Sequence, residues 1–135
     1  MFRLSGVPQM LSTLREQGRR LVLATSKPEK FAGEILAHFG LLQAFSFLGC
    51  ATMDDRRQHK ADVISHALAS IGMSGRECVM VGDRSFDAAG AKANGMDCIG
   101  VCYGFGSAEE LKQAGVLMLA DTPQAVVQIL QKIGY

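Results

Sequence analysis

The stretch Val79-Met80-Val81-Gly82-Asp83-Arg84-Ser85-Phe86-Asp87, running on into Ala88-Ala89-Gly90-Ala91, decides how the rest of the chain is read. An apolar run ends at a glycine, and two carboxylates spaced four apart follow where a helix should start. In an open parallel sheet, ligands sit beyond the carboxyl ends of the strands, so Asp83 and Asp87 are expected to face such a crevice. Two neighbouring carboxylates repel each other unless a cation sits with them, and Mg2+ prefers hard oxygen ligands. The same pair also reads as a helix cap, with negative charge set against the N-terminal dipole. At this point both readings stand.

Strands and helices alternate outward from this unit in both directions. Upstream, residues 8–17 are expected to be helical, with Val7, Leu11 and Leu14 on one face and Gly18 as the stop. Leu21-Val22-Leu23-Ala24-Thr25 is a short, continuously apolar strand, as expected where both faces are covered. Ser26 is placed to cap the next helix, with Glu29 closing a capping box and Pro28 in the first turn. That helix carries Phe31, Ile35, Leu36 and Phe39 and ends at Gly40. Residues 45–48 read as a strand, residues 49–59 as a polar loop, and a helix starts near Lys60 with Val63, Ile64, Ala67, Leu68 and Ile71 on one face.

Downstream of the central unit, the helix over residues 86–94 is ended by Gly95, and residues 98–102 form a strand. Ser107 caps a short helix, with Glu110 three residues on as its capping-box partner. Residues 116–119 form the last strand and residues 122–132 the last helix. Such alternation predicts an α/β fold, a doubly wound, Rossmann-like parallel sheet with helices on both faces. Residues 1–135 show no repeat and no linker, so one domain is expected.

Composition bounds the function. At 135 residues and 48% hydrophobic, the chain is long enough to bury a core without staples. A net charge of +1 gives no electrostatic footprint for nucleic acid or an anionic membrane. No apolar run reaches membrane-spanning length, and the first residues lack a signal-peptide core. The cysteines at 50, 78, 98 and 102 show no Cys-x-x-Cys and no histidine at zinc spacing, which suits a reduced, cytoplasmic setting.

Three more positions fall where such a sheet places chemistry. Thr25 ends its strand on the edge that carries Asp83, and its hydroxyl with the following amides could hold a phosphate oxygen. A cap or turn role is the plainer reading. Lys60 opens a helix, an unfavourable place for a cation, which an anionic ligand nearby would explain; a solvated surface lysine is the commoner alternative. The loop Tyr103-Gly104-Phe105-Gly106-Ser107 lacks the third glycine of a dinucleotide fingerprint, so its glycines are assigned to the turn.

These residues, in this order, resemble the haloacid dehalogenase-like phosphatase superfamily. Ala24-Thr25-Ser26-Lys27-Pro28-Glu29 looks like that family's second motif, His59-Lys60-Ala61-Asp62-Val63-Ile64 like the third, and Gly82-Asp83-Arg84-Ser85-Phe86-Asp87 like the fourth. Gly90-Ala91-Lys92-Ala93-Asn94-Gly95-Met96 and residues 100–107 narrow the likeness to the phosphoglycolate phosphatase branch and its nucleotidase or pyrophosphatase relatives. The resemblance implies Mg2+-dependent hydrolysis of a small phosphate monoester. It implies Thr25 and Ser26 as holders of the phosphoryl group and Lys60 as the neutraliser of charge. It implies Asp83 as a Mg2+ ligand, with Asp87 beside it or behind it.

The chain departs from that family in one respect. Members begin with a strand bearing Asp-x-Asp, whose first aspartate attacks phosphorus, and a helical cap domain follows. Here the aspartates lie at 54, 55, 62, 83, 87, 97 and 121, with no Asp-x-Asp among them, and no cap is present. The Asp54-Asp55 pair reads as a solvated loop. The family's strand would lie between the Thr25 strand and the Asp83 strand, leaving a slot lined by backbone groups that are costly to bury unpaired. The flanking strands could close on each other, a strand from another copy or chain could fill the slot, or the chain could be a truncated product. Homo-oligomerisation by strand addition or swapping is the expectation. Two functions follow: a phosphatase core inactive in isolation for want of its nucleophile, or a non-catalytic remnant serving as a phosphate-binding or protein-interaction module.

Overall fold

A computed structural model describes residues 6–51, 59–102 and 107–133, with the side chains of residues 26–29 and 51 outside that description. The Asp54-Asp55 pair and the loop at residues 103–106 lie outside the described residues. The elements run α1 (Val7–Glu16), β1 (Val22–Pro28), α2 (Glu29–His38), β2 (Phe47–Ala51), α3 (Lys60–Ile71), β3 (Val79–Gly82), α4 (Ser85–Ala93), β4 (Asp97–Val101), α5 (Ala108–Gln113), β5 (Met118–Ala120) and α6 (Pro123–Ile133). Short 3-10 turns at Leu42–Ala44 and Gly75–Glu77 were not legible as elements in the sequence.

All the strand pairs are parallel, as the alternation predicts. The period-2 geometry of a strand sends successive side chains to opposite faces. Val79, Val81, Ile99 and Val101 pack with Leu14 of α1 and with Val126, Ile129 and Leu130 of α6. Met80 and Cys98, one residue out of phase, pack with Ala88 and Ala91 of α4. Helices therefore cover both faces of this sheet, which is why its strands read as unbroken apolar runs.

The five strands do not form one sheet. They fall into a two-stranded sheet, β1–β2, and a three-stranded sheet, β3–β4–β5. The Ser46 amide donates to the Leu21 carbonyl, so in a parallel ladder Leu21, Leu23 and Thr25 present their backbone groups to β2 while Val22 and Ala24 face away. On the other sheet, the Leu117 amide donates to the Cys98 carbonyl toward β5. That phase, with Val79 opposite Asp97, leaves Val79 and Val81 turned away from β4. Among the described residues, neither outward edge pairs with another strand. Among the described residues β1 and β3 do not pair with each other, so the internal closure that was one of the three expected arrangements is not seen there.

Two expectations need correction at the start of α2. The strand continues to Pro28 across an irregularity between Thr25 and Pro28, and α2 opens at Glu29. Ser26 thus lies in the strand and does not open the helix. The apolar residues of α2 also do not form its buried face: Ala32 is 4% exposed, while Phe31, Ile35 and Phe39 are 48%, 45% and 50% exposed.

Candidate active site

The carboxyl rim of β3 is shaped by a glycine. A Cβ at Gly82 would fall 2.7 Å from Oδ2 of Asp87, so only glycine lets this aspartate fold back over the turn. Asp87 then lies 4% exposed in the first turn of α4. Its Oδ2 accepts from the backbone amides of Asp83 (3.1 Å) and Arg84 (3.2 Å), satisfying donors that a helix start leaves open. The cap reading of this carboxylate is therefore borne out, with Asp87 reaching backward.

The other oxygen of Asp87 meets a cation. Lys60 Nζ lies 2.9 Å from Oδ1, and the two side chains are 11% and 6% exposed. The same ammonium donates to the Ala24 carbonyl at 2.6 Å. Ala24 is one of the residues whose backbone faces away from β2, so Lys60 stands where a neighbouring strand's amide would otherwise bond. Lys60 is therefore neither a solvated surface lysine nor dependent on a ligand for its counter-charge, because Asp87 supplies it.

Close helix packing makes this reach possible. At Gly90 of α4 a Cβ would lie 3.1 Å from Lys60 Cγ and 3.1 Å from the Ala61 nitrogen. Asn94 Nδ2 donates to the Ala61 carbonyl (3.1 Å) and to Gly90 (2.9 Å), fixing the start of α3 against the end of α4. One hydrogen-bonded chain therefore links the Ala24–Thr25 peptide, Lys60, Asp87 and the Asp83 amide. Of the residues named from the sequence, Lys60 and Asp87 pair directly, and through them the Ala24–Thr25 peptide and the Asp83 amide are joined. Ser26 follows Thr25 in the strand, and its side chain lies outside the described residues.

Sequence reasoning missed Glu110. Half of its expected capping box exists, because the Glu110 amide donates to Ser107 Oγ at 3.0 Å. Its carboxylate goes elsewhere: Oε2 accepts from the Ser85 amide (2.7 Å) and from Arg84 Nε (3.0 Å). Those donors, the Ser85 amide first and the Arg84 guanidinium second, hold the Glu110 carboxyl below its ordinary range. The Arg84 guanidinium also lies 5.4 Å from the ring centre of Phe86. The Ser107-x-x-Glu110 spacing pointed the glutamate at the wrong helix start. Beneath the rim, burial pushes the Cys98 thiol up to about 12, and the negative charge of Asp87 adds to that shift.

Among the described residues no cluster of three or more acidic, histidine or cysteine side chains forms. Asp83 is half-buried at the turn, with its amide held by Asp87.

A parallel α/β core with a lysine–aspartate pair at its carboxyl rim defines the class of protein. Residues 3–101 match the family model of the haloacid dehalogenase-like hydrolases, and the chain belongs to that family. It is 45% identical over 107 residues to a 5'-nucleotidase of Pseudomonas aeruginosa, covering 79% of this chain and 48% of the relative. It is 45% identical over 104 residues to the tyrosine-protein kinase PtkA of Mycobacterium tuberculosis, covering 77% and 36%. It is 33% identical over 117 residues to a phosphoglycolate phosphatase of Colwellia psychrerythraea, covering 86% and 51%. The crystal structure of a predicted phosphatase from Clostridium acetobutylicum superimposes with a TM-score of 0.87 at 40% identity, over 95% of this chain and 58% of that one. The chain thus spans about half the length of these relatives or less. No helix among the described residues is long and apolar enough to cross a membrane.

Proposed function

We propose that this chain is the phosphate- and metal-binding part of a Mg2+-dependent phosphomonoester hydrolase of the phosphoglycolate phosphatase or nucleotidase type. The observation that carries the reading is the Ala24–Lys60–Asp87–Asp83 chain, which gathers a cation and a rim carboxylate where a parallel sheet binds ligands. The names of the phosphatase relatives support the substrate class. In this reading Thr25 and Ser26 hold the phosphoryl oxygens, and Lys60 neutralises phosphate charge. Asp83 ligates Mg2+, and Asp87 fixes both Lys60 and the Asp83 backbone. Mg2+ would supply charge neutralisation at the phosphate oxygens.

The nucleophile is the missing part. Phosphoryl transfer through a covalent intermediate needs an activated oxygen in line with the leaving group. The sequence holds no Asp-x-Asp, and the outward edges of β1 and β3 are unpaired by strands among the described residues. A strand from outside these residues is proposed to lie against those edges in a cytoplasmic protein. A second copy could pair with them but, holding no Asp-x-Asp itself, would leave the nucleophile to be supplied from elsewhere. The lack of an Asp-x-Asp also favours a second reading, a non-catalytic module that binds phosphate or a protein partner.

Turnover of p-nitrophenyl phosphate with Mg2+ tests the pair. The chain alone is expected to show none, while binding Mg2+ and inorganic phosphate together by calorimetry, with that binding lost in Asp83→Asn. A phosphoenzyme formed on any residue of this chain overturns the reading, and so does an unchanged Mg2+ affinity in Asp83→Asn. Light scattering reads the supply of the strand: a multimer supports a second copy, and a monomer rules that source out.

A further inference from the structure

We infer that Glu110, on the short helix after β4, is a positioning residue for the rim carboxylate Asp83, acting across the fold on the turn between β3 and α4. The inference rests on the metal-site reading above and adds a residue to it. Asp83 sits in a turn held at two points. On one side, Asp87 Oδ2 takes the amides of Asp83 and Arg84. On the other, Glu110 Oε2 takes the Ser85 amide at 2.7 Å and the Arg84 side chain at 3.0 Å. The first helical amide of α4, that of Ser85, has no intrahelical acceptor, and Glu110 supplies one.

The hold is rigid because of its foundation. Glu110 directly precedes Leu111, whose side chain is 0% exposed. A Cβ at Gly100 of β4 would lie 3.1 Å from Leu111 Cδ1, so the helix is seated tightly on that strand. Ser107 Oγ fixes the Glu110 amide from the other direction. The carboxylate is thus presented from a pinned backbone. Its bonds to an amide and a guanidinium are of the charge-assisted kind, which hold geometry better than neutral ones. The Arg84 side chain, clasped at Nε, lies beside the exposed ring of Phe86, so both flanks of the turn are ordered by the same contact.

Backbone amide exchange by NMR, with Mg2+ titrated afterwards, tests the role on Glu110→Ala and Glu110→Gln. In Glu110→Ala the Ser85 and Asp83 amides are expected to exchange about tenfold faster while Ala91 is unchanged, and Mg2+ to bind about tenfold more weakly. Glu110→Gln keeps an acceptor oxygen without the charge, and is expected to fall between the unaltered chain and Glu110→Ala in both readouts. Uniformly faster exchange across α4 would make Glu110 a general stabiliser, and unchanged Ser85 and Asp83 exchange would remove the role altogether. If the unaltered chain binds no Mg2+ while the two amides still respond, the metal reading of Asp83 falls and the positioning stands. If the unaltered chain binds Mg2+ and Glu110→Ala binds it equally well, the positioning falls and the metal reading stands.

Discussion

The three-stranded half of the molecule buries Ile99, Leu111 and Val126 completely, whereas the two-stranded half leaves Phe31, Ile35 and Phe39 of α2 about half exposed. In sequence the two halves look alike, each an apolar strand followed by a helix with hydrophobic residues at turn spacing. They differ in what they can close over. Three strands with helices on both faces form an independent core, while two strands are marginal by themselves. The smaller half is therefore held through α3, which packs against β1, β2 and α4. At the carboxyl rim the Lys60 ammonium ties the halves, bonded to Ala24 in one and to Asp87 in the other. The candidate site is thus the seam of the molecule.

The largest effect is expected at that tie. Lys60→Met strips the charge partner from a nearly buried carboxylate and the donor from the Ala24 carbonyl, and breaking such a pair costs ~3–5 kcal/mol. Chemical denaturation measures the cost, and amide exchange should locate it, with β1 and β2 loosened more than β3 to β5. Lys60→Met combined with Asp87→Asn removes the unpaired charge while keeping an acceptor for the Asp83 and Arg84 amides, and should recover more than half of the loss. A cost under ~1 kcal/mol for Lys60→Met would mean that the halves are joined by packing alone.

Much of this arrangement was legible beforehand, for identifiable reasons. The period-2 split of Met80 and Cys98 from Val79, Val81, Ile99 and Val101 follows from strand geometry, so the doubly wound architecture could be read directly. The expectation was of one continuous sheet with Thr25 at a strand end. The chain instead joins the Ala24–Thr25 peptide to the Asp83 amide through Lys60 and Asp87, across two sheets and with β1 running on to Pro28. What failed depended on contacts far apart in sequence. Ser26 and Glu29 spell a capping box locally, yet pairing of Pro28 with Ala51 draws the strand past it. Glu110 also spells a local box, yet a charged partner 26 residues away takes its carboxylate. On α2, apolar spacing marks a face but cannot say whether anything in this chain covers it.

That last point is open to a direct comparison of one residue type in the two halves. Ile99→Ala empties a site with no solvent contact, and large-to-small changes of this kind cost ~2–5 kcal/mol. Ile35→Ala trims a side chain that is 45% exposed, and surface changes usually stay within ~0.5 kcal/mol. Both are read from denaturation midpoints with unchanged slopes. Equal losses would break the contrast between the halves, and would show that the α2 stripe is covered in solution.

A pH-dependent effect concerns Cys98, which packs with Ala88 and Ala91 of α4. Burial first, and then the charge of Asp87, raise its thiol from an ordinary 9.0 to about 12. Below the ordinary value both the folded and unfolded thiols are protonated, and no stability is lost. Above it the unfolded thiol ionises while the folded one does not, so stability falls as pH rises through that window. Between pH 9 and pH 10 the linkage amounts to about 1 kcal/mol for a single group. Tyrosines and lysines titrate in the same range, so the measured quantity is the slope of stability against pH in the unaltered chain minus that in Cys98→Ala. The difference should be about 1 kcal/mol per pH unit there, with the unaltered chain declining more steeply. Parallel slopes would show the thiol to be solvated, and would loosen the packing of α4 over β4 on which the Asp87 position depends.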